Sequence, residues 1–225
     1  PEFHLLIDQY KRNYIYNEAR VERNVTMEEQ LGLGEIYDYI CTFDFSKDYF
    51  NLFVTSLLLH QKLYSKCAYP EFGGKLRDDT AYLLNTSIEV MDANEAKKYF
   101  NSLIPVSDQI FLPLNQGDIF GYIENIVKQT VELIKVQPFA DGNKRTFRAL
   151  LNLLLKRIQI PPVYIEVRER EKYKEALLEA MKENDFSKII TFYHYKICDA
   201  IMNLDIKHSV FADEQEKQKS QVLKK

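Results

Sequence analysis

Residues 137–148 read Gln-Pro-Phe-Ala-Asp-Gly-Asn-Lys-Arg-Thr-Phe-Arg, and no other stretch carries so much potential chemistry. Asp141-Gly142-Asn143 is turn chemistry, because Gly and Asn tolerate a positive φ. A helix opening at Asn143 would begin with Lys144, Arg145 and Arg148. Cations oppose the macrodipole at a helix N-terminus, so a sequence selected for stability alone would place acids there. Unpaired N–H groups, the positive dipole end and these basic side chains together favour an anion. Arg145 and Arg148, three apart, share a helical face. Asp141 would repel a phosphate unless a cation such as magnesium lay between them. The segment therefore reads as a site for a di- or triphosphate with magnesium. The plainer alternative is a helix start with surface bases.

The surroundings must hold that junction. The chain has 225 residues, 46% hydrophobic, with only 7 Gly and 7 Pro. So few turn residues disfavour a sandwich or barrel and favour long helices. We expect a mainly α protein in a single domain over 4–206, with a polar tail over 207–225. Pro1-Glu2-Phe3, without Met, reads as a cloning remnant and is set aside. Helices are expected from about His4 to Asn24, from Met27 to Cys41 behind a Thr26–Glu29 capping box, and from a Ser46 N-cap onward. Others are expected over Ala93–Ile104, Asp118–Gln137, Asn143–Arg157, Glu169–Glu183 and Phe186–Ile206. Tyr82–Val90 reads as a β-hairpin and Val163–Val167 as a short strand.

The net charge of −3 excludes a globally basic nucleic-acid binder. No apolar run approaches the roughly 20 residues of a membrane span. Cys41, Cys67 and Cys198 lack metal-ligand spacing and suit a reducing, intracellular setting. Together these point to a cytoplasmic protein, with oligomeric state unread.

Residues 137–148 resemble the signature of the Fic/Doc (Fido) family, H-x-F-x-[D/E]-G-N-[G/K]-R-x-x-R, at every defined position except the first. Gly74-Lys75-Leu76-Arg77 resembles the family's G-x-x-R element, and the expected hairpin its flap. The likeness extends over roughly residues 14–200. It implies the Fido helical fold with a small β-hairpin flap, and transfer of AMP from ATP–magnesium to a Ser, Thr or Tyr hydroxyl of a protein. Phe139 would anchor the loop and Asp141 hold magnesium. Backbone N–H groups of Gly142, Asn143 and Lys144 would cradle the inner phosphates, and Arg145 and Arg148 the outer ones. Leu84, Asn85, Thr86, Ser87 and Ile88, in the flap, would dock the target by strand addition.

Gln137 stands where the family has its catalytic His. A carboxamide orients a hydroxyl but does not take its proton at neutral pH. Gln137 is read as native, which implies weak or altered adenylyltransferase activity. The alternatives are an inactive nucleotide-binding and protein-docking module, and a Doc-like kinase, to which Lys144 points. His60, His194 and His208 read as core or surface histidines rather than substitute bases. Many family members carry an inhibitory [S/T]-x-x-x-E-[G/N] helix. Glu18-Ala-Arg-Val-Glu22-Arg23-Asn24 fits it at Glu22, which would pair with Arg148, while Glu18 and Arg23 depart from it.

Overall fold

In a computed structural model, residues 2–23, 25–83, 86 and 88–202 are described. Among the described residues the helices are α1 (Glu2–Glu18), α2 (Met27–Thr42), α3 (Leu52–Tyr64), α4 (Ala93–Ser102), α5 (Leu112–Asn115), α6 (Ile119–Val136), α7 (Asn143–Lys156) and α8 (Arg170–Glu183). A ninth, α9, occupies 187–202. Short 3₁₀ turns lie at Pro70–Phe72, Ser107–Phe111 and Val167–Glu169. No helix among the described residues is long and apolar enough to cross a membrane.

The helix α7 is the centre of the core. Every residue from Arg145 to Leu155 is buried, so it has no solvent face, as expected of a central helix. Helices α2, α3 and α6 pack on it. α2 and α3 meet closely because position 32 is Gly. A Cβ there would lie 2.1 Å from the Leu63 carbonyl oxygen. The start of α2 carries the expected capping box, with Glu29 N donating to Thr26 Oγ1 and Thr26 N donating to the Glu29 carboxylate.

Several expected boundaries move. α1 ends at Glu18, and residues 19–23 form turns with Ala19 and Val21 buried. Glu22 therefore lies in a turn rather than on a helix. The N-cap of α3 is Asn51, not Ser46, because the Asn51 carboxamide accepts from Phe53 N and Val54 N while donating to the Ile104 carbonyl. Ser46 instead bonds to Asp44 in a preceding turn.

No strand occurs among the described residues. The expected hairpin is not seen. Leu84, Asn85 and Ser87 lie outside the described residues. Thr86 N and Oγ1 both donate to the Leu83 carbonyl, and Ile88 N donates to Thr86 Oγ1. These local bonds compete with a ladder, and an isolated two-stranded hairpin is marginal in water. Nor is Val163–Val167 a strand. The Asn152 carboxamide, on α7, accepts from Val163 N and donates to its carbonyl, satisfying by a side chain what a neighbouring strand would satisfy. Residues 203–225, with His208 and the expected tail, lie outside the described residues.

Candidate active site at the start of α7

The loop between α6 and α7 is held before any ligand enters. Gln137 caps α6 in the left-handed region, at φ 50° and ψ 58°. That conformation costs of order 1 kcal/mol for a residue with a Cβ and persists only where its surroundings enforce it. Gln137 is 7% exposed. Its Nε2 donates to the Ile134 carbonyl at 2.5 Å, and its Oε1 accepts from Asn143 Nδ2 at 3.0 Å. Both ends of the carboxamide are thus used internally. Asn143 also bridges Phe139, accepting from its N–H and donating to its carbonyl. Phe139 is fully buried, as expected of a loop anchor.

His60, on α3, stacks flat on Phe139 with ring centroids 3.9 Å apart. Its Nδ1 accepts from Gly74 N, which makes Nε2 the protonated nitrogen and the donor to the Asp141 carbonyl at 2.9 Å. Burial lowers its pKa to about 4, despite the Asp141 carbonyl opposing that fall. It is a core histidine, as the sequence suggested, yet it touches the motif loop. Arg77 clamps the other flank. Its Nε donates to the Gln137 carbonyl at 2.6 Å, and its remaining nitrogens to the Asp79 and Met91 carbonyls. The chain following Gly74 is thereby tied to the loop.

Gly142 is the N-cap of α7, at φ 75°, and no side chain caps the helix. A Cβ there would lie 2.8 Å from the Tyr64 hydroxyl, so only Gly fits. The first-turn N–H groups remain open to an anion. Beside them lies a cavity of about 530 Å³, lined by residues that include Tyr82, Asp141, Asn143, Lys144, Arg145 and Leu177.

The N-terminal segment supplies a carboxylate to each basic side chain of this turn. Arg148, 3% exposed, places Nε 2.8 Å from Glu18 and Nη1 2.7 Å from Glu22. Glu22 also reaches Lys144 Nζ at 2.6 Å. Arg145 Nη1 lies 2.6 Å from Glu29 Oε1, the carboxylate that also closes the α2 capping box. Burial raises the Glu18 pKa, and Arg148 offsets this only in part. For Glu22, burial also raises it, but Arg148 and Lys144 outweigh burial and leave the pKa lowered. Asp141 is half exposed, and its Oδ2 accepts from Arg23 at 3.0 Å, Tyr64 at 3.2 Å and Arg145 at 3.5 Å.

The residues singled out in the motif thus lie together, and Glu22 contacts Arg148. Glu18, Arg23, Glu29, His60 and Tyr64 were not picked out. The signal for Glu18 and Arg23 was their departure from the inhibitory pattern, since both side chains contact motif residues. Glu29 was legible only as a cap.

Residues 54–155 match the family model described as Fic/DOC family. The segment that holds the site is thus similar to the Fic/DOC family. It is 34% identical over 82 residues to the protein adenylyltransferase Fic of Aedes aegypti, covering 36% of this chain and 16% of that protein. It is 31% identical over 114 residues to that of Nematostella vectensis, covering 44% of this chain and 26% of that protein. The matched segments thus span about a quarter or less of these relatives' length. The fold is similar to that of Fic-1 from C. elegans, with a TM-score of 0.71 at 18% identity, covering 89% of this chain and 63% of that one. A Fic domain containing signaling protein from Bacteroides thetaiotaomicron superposes with a TM-score of 0.72 at 15% identity, covering 90% of this chain and 89% of that one.

Proposed function

We propose that this Fic domain binds ATP at the start of α7 and transfers AMP slowly to a protein hydroxyl. The observation that carries the reading is the uncapped, left-handed Gly142 start, flanked at the cavity by Lys144 and Arg145, with Arg148 buried one turn further on. Its relatives' name, protein adenylyltransferase, supports the same reaction. The N–H groups of Gly142, Asn143 and Lys144 would meet the inner phosphates, and Arg145 and Arg148 the outer ones. Phosphate would then compete with Glu22 for Arg148 and Lys144, which makes Glu22 the proposed inhibitory residue. The target protein would dock along 84–88.

Gln137 sets the rate. Its carboxamide is not basic, so it takes no proton from an attacking hydroxyl, and its two ends are engaged by Ile134 and Asn143. Loss of a general base costs about 10²- to 10⁴-fold. The same lack of a base favours a second reading, a nucleotide-binding module that docks a partner without chemistry. Asp141 does not fit a magnesium ion in the arrangement described. Its Oδ2 is already shared by Arg23, Tyr64 and Arg145. No group of three His, Cys, Asp or Glu side chains among the described residues gathers to hold a metal.

ATP labelled on the α- or γ-phosphate tests the reaction. Gln137→His combined with Glu22→Gly should place α-label on protein about 10²- to 10⁴-fold faster than the parent chain. Transfer of γ-label alone would mean a Doc-like kinase. ATP binding with no label transferred would favour the docking module.

A further inference from the structure

Arg23 Nη2 lies 3.0 Å from Glu29 Oε1 and 3.0 Å from Asp141 Oδ2. One positive nitrogen thus bridges two carboxylates, the arrangement a divalent cation adopts between acidic ligands. Arg145 spans the same pair from the helix side, at 2.6 Å from Glu29 and 3.5 Å from Asp141. The two guanidinium groups and two carboxylates form a closed, neutral set. Adding a metal would place a third cation against it, and each existing cation would repel it. Arg23 also lines the cavity beside Gly142, Asn143 and Lys144, so its half-exposed guanidinium is in reach of a bound phosphate. Arg is suited to that contact, since its planar fork pairs with phosphate oxygens and never loses its charge.

We propose that Arg23 is a built-in cation that takes the place of a divalent metal between Asp141 and Glu29. The Fic domain then holds the phosphates of its nucleotide without a metal ion. The nucleotide half of this proposal rests on the ATP-binding reading; the metal half does not.

Manganese, titrated against the full chain and followed by electron paramagnetic resonance, tests the metal half directly. The parent chain should show no one-to-one site. Arg23→Gln removes one unit charge beside both carboxylates and should tighten manganese binding by about tenfold or more, with one ion per chain. Adding Asp141→Asn to that variant should abolish the gain. Arg23→Gly serves as a second variant, with circular dichroism to show that each is folded. Folded Arg23 variants that bind manganese no better than the parent would overturn the proposal.

Calorimetry with ATP tests the nucleotide half. In the parent chain, replacing magnesium by EDTA should change the Kd by less than about twofold, whereas Arg23→Gln should become dependent on magnesium. A parent chain whose ATP affinity falls about tenfold in EDTA would refute it. If no form binds ATP, the function proposed above falls, and the manganese titration still decides the role of Arg23.

Discussion

Two regions hold the motif loop by different physics. On one side the N-terminal segment reaches α7 through ions: Glu18 and Glu22 on Arg148, Glu22 on Lys144, Glu29 on Arg145, and Arg23 on Asp141. On the other, Arg77 and His60 hold the loop through backbone carbonyls, and His60 stacks on Phe139. Carboxylates at an anion site can be replaced by a phosphate, which offers the same basic side chains the same oxygens. Carbonyl clamps offer an anion nothing. On the proposed function, the ionic side is where ligand and protein would compete, and the hydrogen-bonded side is scaffold.

Breaking one buried pair should have the largest effect. Arg148→Ala leaves Glu18, 2% exposed, without its partner, and should cost about 3–5 kcal/mol in urea unfolding. If Arg148→Ala and Glu18→Gln together cost as much as Arg148→Ala alone, the loss does not come from the stranded charge.

On the scaffold side, His60 gives a pH signature. Its folded pKa, about 4, is below its ordinary 6.5. Between these values the unfolded chain binds more protons, so stability is complete above pH 6.5 and declines as pH falls toward 4. The loss should reach about 3 kcal/mol. His60→Asn should flatten that part of the stability–pH curve. The lowered carboxyls of Glu22 and Asp141 add losses in the same direction only below their ordinary range.

Arg77→Met tests the carbonyl clamp. It strands the buried Gln137 carbonyl and should cost about 1–3 kcal/mol. Its ATP affinity should stay nearer the parent's than that of any α7 variant.

Glu22→Ala should have the smallest effect on stability, about 1 kcal/mol or less, because Arg148 keeps Glu18 and Lys144 is partly exposed. ATP affinity measured by calorimetry should rise. Large destabilisation with unchanged affinity would erase the contrast between the two sides.

Much of this molecule was legible in one dimension. Helices α2, α4, α6, α7 and α8 follow from apolar periodicity, the Thr26–Glu29 box and scarce Gly and Pro, because local hydrogen bonding and side-chain period act within a few residues. The motif at 137–148 pointed to the proposed anion site because Gly142 and three bases are close in the chain. The missed features involve distant partners. The segments at 82–90 and 163–167 have strand-like composition, but a strand exists only if another strand pairs with it. Thr86 turns the first back on itself locally, and Asn152 satisfies the second from α7.

The residues themselves determined that a basic helix start would lie between two apolar helices. Only the tertiary structure decided that Glu18, Arg23 and Glu29 would join Glu22 around that start, 116 positions away in the case of Glu29 and Arg145. Charge complementarity acts through space, and local sequence carries no record of which distant ion will be brought within 3 Å.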